Sequence, residues 1–226
     1  MIEWLVQTAA DLPAAGEELL GPDERRAYAA LRTEKRRQEW LLGRWTAKLL
    51  LQRLIRARCG ETVPLAALQV LNGRTRAPVV RCDGVAELPV LSVSHSNRHA
   101  FCAALERPSP PIGADIERIE PRSATFVADY FTAAERALVA QAPPDLQATA
   151  VTAIWSAKEA ALKALQVGLS IDTRRVTCLV QVETAVADWT PFAIEVDWDD
   201  KLRQHGQSEL RGWWRVQEGF VLTLVA

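Results

Sequence analysis

Three short stretches carry side chains that could do chemistry. In IGADIE, Asp115 and Glu117 stand two apart on a stretch that reads as a strand, so both carboxylates point to one face. Carboxylates this close repel unless a cation sits between them. A hard divalent cation with oxygen ligands suits such a pair, although D-x-E at a strand end is also commonly just solvated. In WSAKEAALKALQ, Trp155, Glu159 and Leu162 share a helical face, and Glu159 and Lys163 stand one turn apart. That pair is either routine helix support worth ~0.2–0.5 kcal/mol or half of a site, and Lys158 places a second cation beside it. In LSVSHSNRHAFCAA, His95 lies between Ser94 and Ser96 at a strand end. Small polar neighbours there open access to a cleft; a hydrogen-bonded turn histidine is the plainer reading.

A fourth stretch, NGRTRAPVV, puts a glycine beside Arg74 and Arg76. A loop of that kind can bring backbone and guanidinium groups to a phosphate, or it can be a basic hairpin turn. Zinc chemistry is excluded on ligand count: His95, His99 and His205 are the only histidines, and the four cysteines share no metal-like spacing. No Ser-His-Asp order can be assembled.

The bulk numbers set the frame for these groups. The 226 residues suffice for one large domain or two small lobes. A hydrophobic content of 49% and a net charge of −1 describe an ordinary globular chain, with nothing global that favours nucleic acid. Charge is uneven, however: Arg25, Arg26, Arg32, Lys35, Arg36, Arg37, Arg44, Lys48, Arg53, Arg56 and Arg58 face only Glu34 and Glu39 over residues 25–58. Such a run is either a solvated helix face or a site for a polyanion. The N-terminus lacks a signal-peptide pattern and no apolar run is long enough to span a bilayer. The expectation is a cytoplasmic protein with reduced thiols and no membrane contact.

The elements that must position the chemistry come in two similar sets. IEWLVQTA reads as a strand, Pro22-Asp23-Glu24 opens a helix, and RRQEWLLGRWTAKLLLQRLIRA is a long helix stopped at Gly60. LAALQVL, APVVRC, PVLSVSHS and HAFCAALE follow as strands between turns. Pro108 to Pro111 breaks the chain. Then IGADIERIE is a strand, FTAAERALVA a helix capped by Thr132 with Glu135 completing a capping box, and ATAVTAIWSAKEAALKAL a second long helix ending by Gly168. TCLVQVET, PFAIEVDW, GWWRV and GFVLTLV read as β. WTAK at 45–48 and WSAK at 155–158 stand 110 residues apart, and HAFCAAL and EGFVLTL close the two halves alike. The order of elements predicts an internal duplication. The expected fold is α+β, a pseudo-dimer of two similar lobes, 1–108 and 109–226, each a small antiparallel sheet on a long helix, with the active site in a cleft between them.

G-A-D-I-E at 113–117 and W-S-A-K-E-A-A-L-K at 155–163, with S-x-S-H-S at 92–96, resemble the signature set of the 4′-phosphopantetheinyl transferases. Length and duplication resemble the larger, two-lobed bacterial type that activates peptide and polyketide synthetases. FTAAE at 131–135 and GLS at 168–170 also fall where that family has similar residues. The resemblance implies that Asp115, Glu117 and Glu159 hold Mg²⁺ against the pyrophosphate of coenzyme A. It implies that Lys163 faces the same phosphates, and that Ser94 and His95 contact the phosphate end of the nucleotide. Arg76 resembles a basic residue near the adenine and 3′-phosphate, and Arg26 and Arg44 lie in the basic region used for coenzyme A.

The reaction so implied is attack of a serine hydroxyl of an apo acyl or peptidyl carrier protein on the β-phosphorus, releasing 3′,5′-ADP. Glu159 is the candidate base, directly or through a metal-bound water, and Lys163 the group that neutralises the departing phosphate, by charge alone or as general acid. The carrier would dock on RIEPRSATFVADYF, through Arg118 and Arg122 and through Phe126 or Tyr130. A monomer is expected, because two lobes in one chain supply what smaller relatives build between subunits. The alternatives are a coenzyme-A-binding module that holds carriers without modifying them and a metal-dependent pyrophosphatase that uses water.

Overall fold

The computed structural model describes residues 1–184, 186–198 and 209–226, and the chain divides into two units, Met1–Ile112 and Gly113–Ala226, each with its own apolar core. His205 and the rest of 199–208 lie outside the described residues.

The first unit runs β1 (Glu3–Thr8), α1 (Pro22–Ala29), α2 (Glu34–Cys59), β2 (Gln69–Asn72), β3 (Pro78–Arg81), β4 (Val90–Ser96) and β5 (His99–Leu105). Thr33 caps α2 by accepting from the Arg36 N–H, and Gly60 ends it at φ 75° with its N–H on the Arg56 carbonyl. That left-handed cap is where glycine is needed. The sheet is antiparallel in the order β1-β5-β4, and β2 and β3 form a separate hairpin. Ala47, Leu50, Leu51 and Ile55 of α2 bury against Cys102 and Ala104 of β5. LAALQVL is strand only from Gln69, because Leu65–Ala67 turns as a 3-10 helix.

The second unit runs β6 (Gly113–Arg118), α3 (Ala124–Tyr130), α4 (Ala133–Gln141), α5 (Gln147–Ala164), β7 (Val176–Leu179), β8 (Thr190–Val196), β9 (Gly212–Gln217) and β10 (Phe220–Val225). Its antiparallel sheet has the order β6-β10-β9-β8-β7. The capping box at Thr132 forms as expected, with Glu135 bonded back to the Thr132 N–H at 2.7 Å. Alanines at 150, 153, 157, 160, 161 and 164 let α5 lie close on the sheet. At Gly113 the approach is closest: a Cβ there would sit 1.7 Å from the Ala160 carbonyl oxygen. The strand expected over TCLVQVET stops at Leu179.

The duplication seen in the short WTAK/WSAK echo extends through the architecture. In each unit the C-terminal strand of a hairpin is central, flanked by the unit's first strand and by its hairpin partner: β1-β5-β4 in one, β6-β10-β9 in the other. Both hairpins turn on two residues with positive φ, Asn97-Arg98 and Glu218-Gly219, the geometry that matches strand twist. The burial pattern over 41–50 repeats position by position over 151–160.

The repeated lysine is the innermost part of this pattern. Lys48 is wholly buried, 2.5 Å from Glu24, and donates to the Leu19 and Leu65 carbonyls. Lys158 is wholly buried, 2.9 Å from Glu135, and donates to the Thr173 and Val176 carbonyls. Each glutamate is the third residue of the preceding short helix, accepts from the N–H of the residue that opens it, Gly21 for Glu24 and Thr132 for Glu135, and also accepts from a strand N–H, Val70 for Glu24 and Cys178 for Glu135. Burial pulls the Lys48 ammonium below its usual range, against the pull of Glu24. The pair ties a helix start, the long helix and a strand together in each unit. The expectation that Lys158 is a second cation beside Glu159 is therefore corrected. Successive residues of a helix are ~100° apart, and Lys158 points into the core while Glu159 does not.

Candidate functional site

The site in the second unit is built by two elements. On β6 the residues at 113, 115 and 117 alternate onto the face that packs on α5. Gly113 makes the close contact, Asp115 lies against the helix at 3% exposure, and Glu117 is half-buried at the strand's end. On α5 the half-buried stripe is Trp155, Glu159 and Lys163, at i, i+4 and i+8. Leu162, expected on that face, is instead in the core at 1% exposure.

Lys163 reaches across to the strand rather than along its own helix. Its ammonium donates to Asp115 Oδ1 at 2.7 Å and to the Ala114 carbonyl at 3.1 Å. The Glu159–Lys163 spacing that reads as helix support thus serves a cross-element contact. Asp115 Oδ2 accepts from Ser156 Oγ at 2.8 Å. Arg122, just before α3, pairs with Glu117 at 3.4 Å and Glu120 at 3.3 Å and stacks over the Phe126 ring.

The acids sense one another. Burial first, and then the charges of Asp115 and Glu159, push the Glu117 carboxyl up to about 7, against the pull of Arg122 and Lys163. Burial and Asp115 also raise Glu159, against Lys163. Three carboxylates short of positive charge are the donor set a hard divalent cation takes, so Asp115, Glu117 and Glu159 fit Mg²⁺ by donor type and charge. Among the described residues no three acids converge closely enough to hold an ion as they stand. Lys163 and Arg122 are the cations that stand on Asp115 and Glu117.

The remaining candidates lie in the first unit. Arg26 is exposed and pairs with Asp23. Arg76 is exposed at φ 66° in the turn between β2 and β3, and His95 is exposed near the end of β4 beside a buried Ser94. Arg44 differs from the expectation of an open basic face. It is 6% exposed, its guanidinium stacks 4.3 Å from the Trp40 ring, and it donates to Asn72 at 3.3 Å. Burial lowers its pKa. Its place in the structure is under the turn that carries Arg76.

The segment expected to dock a partner forms α3. Phe126 packs on Trp155, Tyr130 and Phe131, with ring centroids 5.0, 4.9 and 6.1 Å away. Tyr130 is the exposed member at 39%. Arg118 is exposed, whereas Arg122 is committed to Glu117 and Glu120. Sequence reasoning missed Ser156 and Thr223, whose hydroxyls meet at 2.9 Å behind Asp115. Only the position of Ser156 inside WSAKE could have flagged it; Thr223 sits in an apolar strand with no signal. None of the four cysteines is in a disulfide. Among the described residues no helix is long and apolar enough to cross a membrane.

The stretch that builds this site is also the stretch that matches a known family. The family model of the 4′-phosphopantetheinyl transferase superfamily matches residues 111–224, half of the chain. The chain belongs to this superfamily. It is similar to a 4′-phosphopantetheinyl transferase of Bacillus subtilis, 34% identical over 80 residues, which is 35% of this chain and 34% of that protein. The match thus spans about a third of the curated relative's length. Among solved structures it is similar to the holo-[acyl-carrier-protein] synthase of Helicobacter pylori in complex with coenzyme A, at 19% identity and TM-score 0.40 over 51% of this chain and 97% of that one. The synthase of Thermotoga maritima gives 21% identity and TM-score 0.38 over 58% and 74%. At such TM-scores the likeness carries no weight, and membership rests on the family model.

Proposed function

We propose that this chain is a phosphopantetheinyl transferase that moves the phosphopantetheine arm of coenzyme A onto a serine of an apo acyl or peptidyl carrier protein and releases 3′,5′-ADP. The observation that carries the reading is the 2.7 Å contact of Lys163 on α5 with Asp115 on β6, with Glu117 and Glu159 on the same two elements within electrostatic reach, all inside the residues the family model matches. In the reaction the carrier serine oxygen forms a bond to the β-phosphorus, and the bond from that phosphorus to the bridging oxygen breaks. The serine proton leaves to a base, and the electron pair of the broken bond stays on the phosphate of 3′,5′-ADP.

Glu159 is the proposed base. Its carboxylate lies on α5 within electrostatic reach of Asp115 and Lys163, and a carboxylate is a group that can take a hydroxyl proton. Lys163, pinned by Asp115 and the Ala114 carbonyl, supplies positive charge to the departing phosphate. Mg²⁺, held by Asp115, Glu117 and Glu159, would neutralise the pyrophosphate. In the first unit the exposed Arg26, Arg76 and His95 are proposed contacts to the anionic groups of coenzyme A, with Ser94 beside His95. Arg44 acts there by supporting the Asn72 turn. Arg118 and Tyr130 are the exposed groups proposed to meet the carrier.

The test is to incubate the protein with coenzyme A, Mg²⁺ and a panel of apo carriers and weigh the carriers. The expected result is a gain of one phosphopantetheine arm, with 3′,5′-ADP released only when a carrier is present. No gain on any carrier, with coenzyme A still bound, would show a carrier-holding module. Release of 3′,5′-ADP without a carrier would show a pyrophosphatase.

A further inference from the structure

We propose that Ser156 and Thr223 are positioning residues that orient the Asp115 carboxylate for its ligand. The inference rests on the function proposed above, because it takes Asp115 as a metal-binding group. Behind Asp115 the chain of hydroxyls has one consistent donor order. An ionised carboxylate only accepts, so the single Ser156 proton goes to Asp115 Oδ2, 2.8 Å away. Ser156 Oγ can then only accept from Thr223 Oγ1 at 2.9 Å, and the Thr223 proton is shared between that oxygen and the Ser156 carbonyl, also 2.9 Å away. Ser156 and Thr223 are wholly buried, so no solvent competes for these bonds.

The duplication supplies an internal control. Thr46 stands where Ser156 does and Leu5 where Asp115 does, each 110 residues earlier, and Cys102 pairs with Leu5 on β1 as Thr223 pairs with Asp115 on β6. In that unit no hydroxyl stands on the central strand at this position. Thr46 returns its proton to the Leu42 carbonyl of its own helix at 2.9 Å, the usual habit of a mid-helix hydroxyl. Ser156 departs from that habit where a carboxylate has to be held. With Ser156 on Oδ2 and Lys163 on Oδ1, both oxygens of Asp115 are fixed in direction.

Partners standing behind metal-binding side chains typically cost 10–100-fold in metal affinity when lost. The experiment titrates Mn²⁺ into the full-length protein with coenzyme A present and reads free Mn²⁺ by its electron paramagnetic resonance signal, with a coenzyme A blank subtracted. Ser156→Ala is expected to weaken Mn²⁺ uptake by about 10–100-fold. At saturating metal it should recover most of the transfer rate and keep the wild-type KM for coenzyme A. Thr223→Val should shift uptake in the same direction by less, and Thr223→Ser should restore it. Should Ser156→Ala fail to fold, the Thr223→Val and Thr223→Ser pair reads the same quantity. Wild-type Mn²⁺ uptake in Ser156→Ala, or in Thr223→Val where that pair is used, with or without a lower Tm, would overturn the inference and leave the function standing. A wild-type protein that binds no Mn²⁺ beyond the blank would overturn the metal reading and the inference with it.

Discussion

Replacing Lys158 by alanine should unfold the second unit's frame rather than disable its chemistry. Glu135 is wholly buried and its carboxylate meets three donors: the Thr132 N–H, the Cys178 N–H and the Lys158 ammonium. Removing the lysine leaves a buried negative charge with neutral donors only. Breaking such a pair from one side costs about 3–5 kcal/mol. For a chain of this size each kcal/mol moves Tm by about 2–4 °C, so the loss should be ~6–20 °C. Two orphaned carbonyls, of Thr173 and Val176, push toward the upper end. The assay is thermal and urea unfolding by circular dichroism. The double variant Lys158→Met, Glu135→Leu should recover much of the loss, because an apolar pair removes both charges from the interior. Lys163→Ala, five positions on and partly exposed, should stop transfer while lowering Tm by less than Lys158→Ala, because solvent reaches the end of its pair with Asp115. A Lys158→Ala protein that melts like wild type but has lost transfer would refute the reasoning and return Lys158 to the site.

Glu159→Gln should keep the fold and lower transfer by about 10²–10⁴-fold, the usual contribution of a general base; near-normal turnover in a mass-shift time course would remove Glu159 from that role. Gly113→Ala should destabilise by about 1–3 kcal/mol or more, because its methyl collides with the Ala160 carbonyl; a urea midpoint equal to wild type would show that β6 can move off α5. Arg76→Ala, at an exposed turn, should raise the KM for coenzyme A more than it lowers kcat while leaving Tm unchanged; an unchanged KM would separate Arg76 from coenzyme A binding.

The parts of the chain that were legible without coordinates are those whose signal is local. A capping box announces itself in four residues, and Thr132 with Glu135 formed one. Gly60 stops α2 because the left-handed cap suits glycine. The two-residue period of a strand put Asp115 and Glu117 on one face, and the repeated order of elements foretold two sheet-on-helix units. Local signals also misled. Glu159 and Lys163 at i, i+4 look like partners, yet Lys163 has a better one in Asp115, 48 residues away in sequence and 2.7 Å away in space. Phe126 and Tyr130 look alike in the sequence and both rings pack on Trp155, yet in the structure Phe126 is partly buried while Tyr130 stays 39% exposed.

By itself, then, the sequence determined the elements, their duplication and the types of the reacting groups. Tertiary structure decided which way each group faces and what it meets. Lys158 and Lys163 share a helix, a residue type and a motif. One is buried as the strut on Glu135 and the other reaches the acid on β6, because five residues of helix turn a side chain through more than a full circle. The same holds for the two copies of the motif. WTAK and WSAK differ by one methyl at their second position, and the hydroxyl there bonds its own helix in one unit and Asp115 in the other. What separates them is the strand that each helix packs on, and hydrogen bonds between elements far apart in sequence leave no periodic trace in the chain.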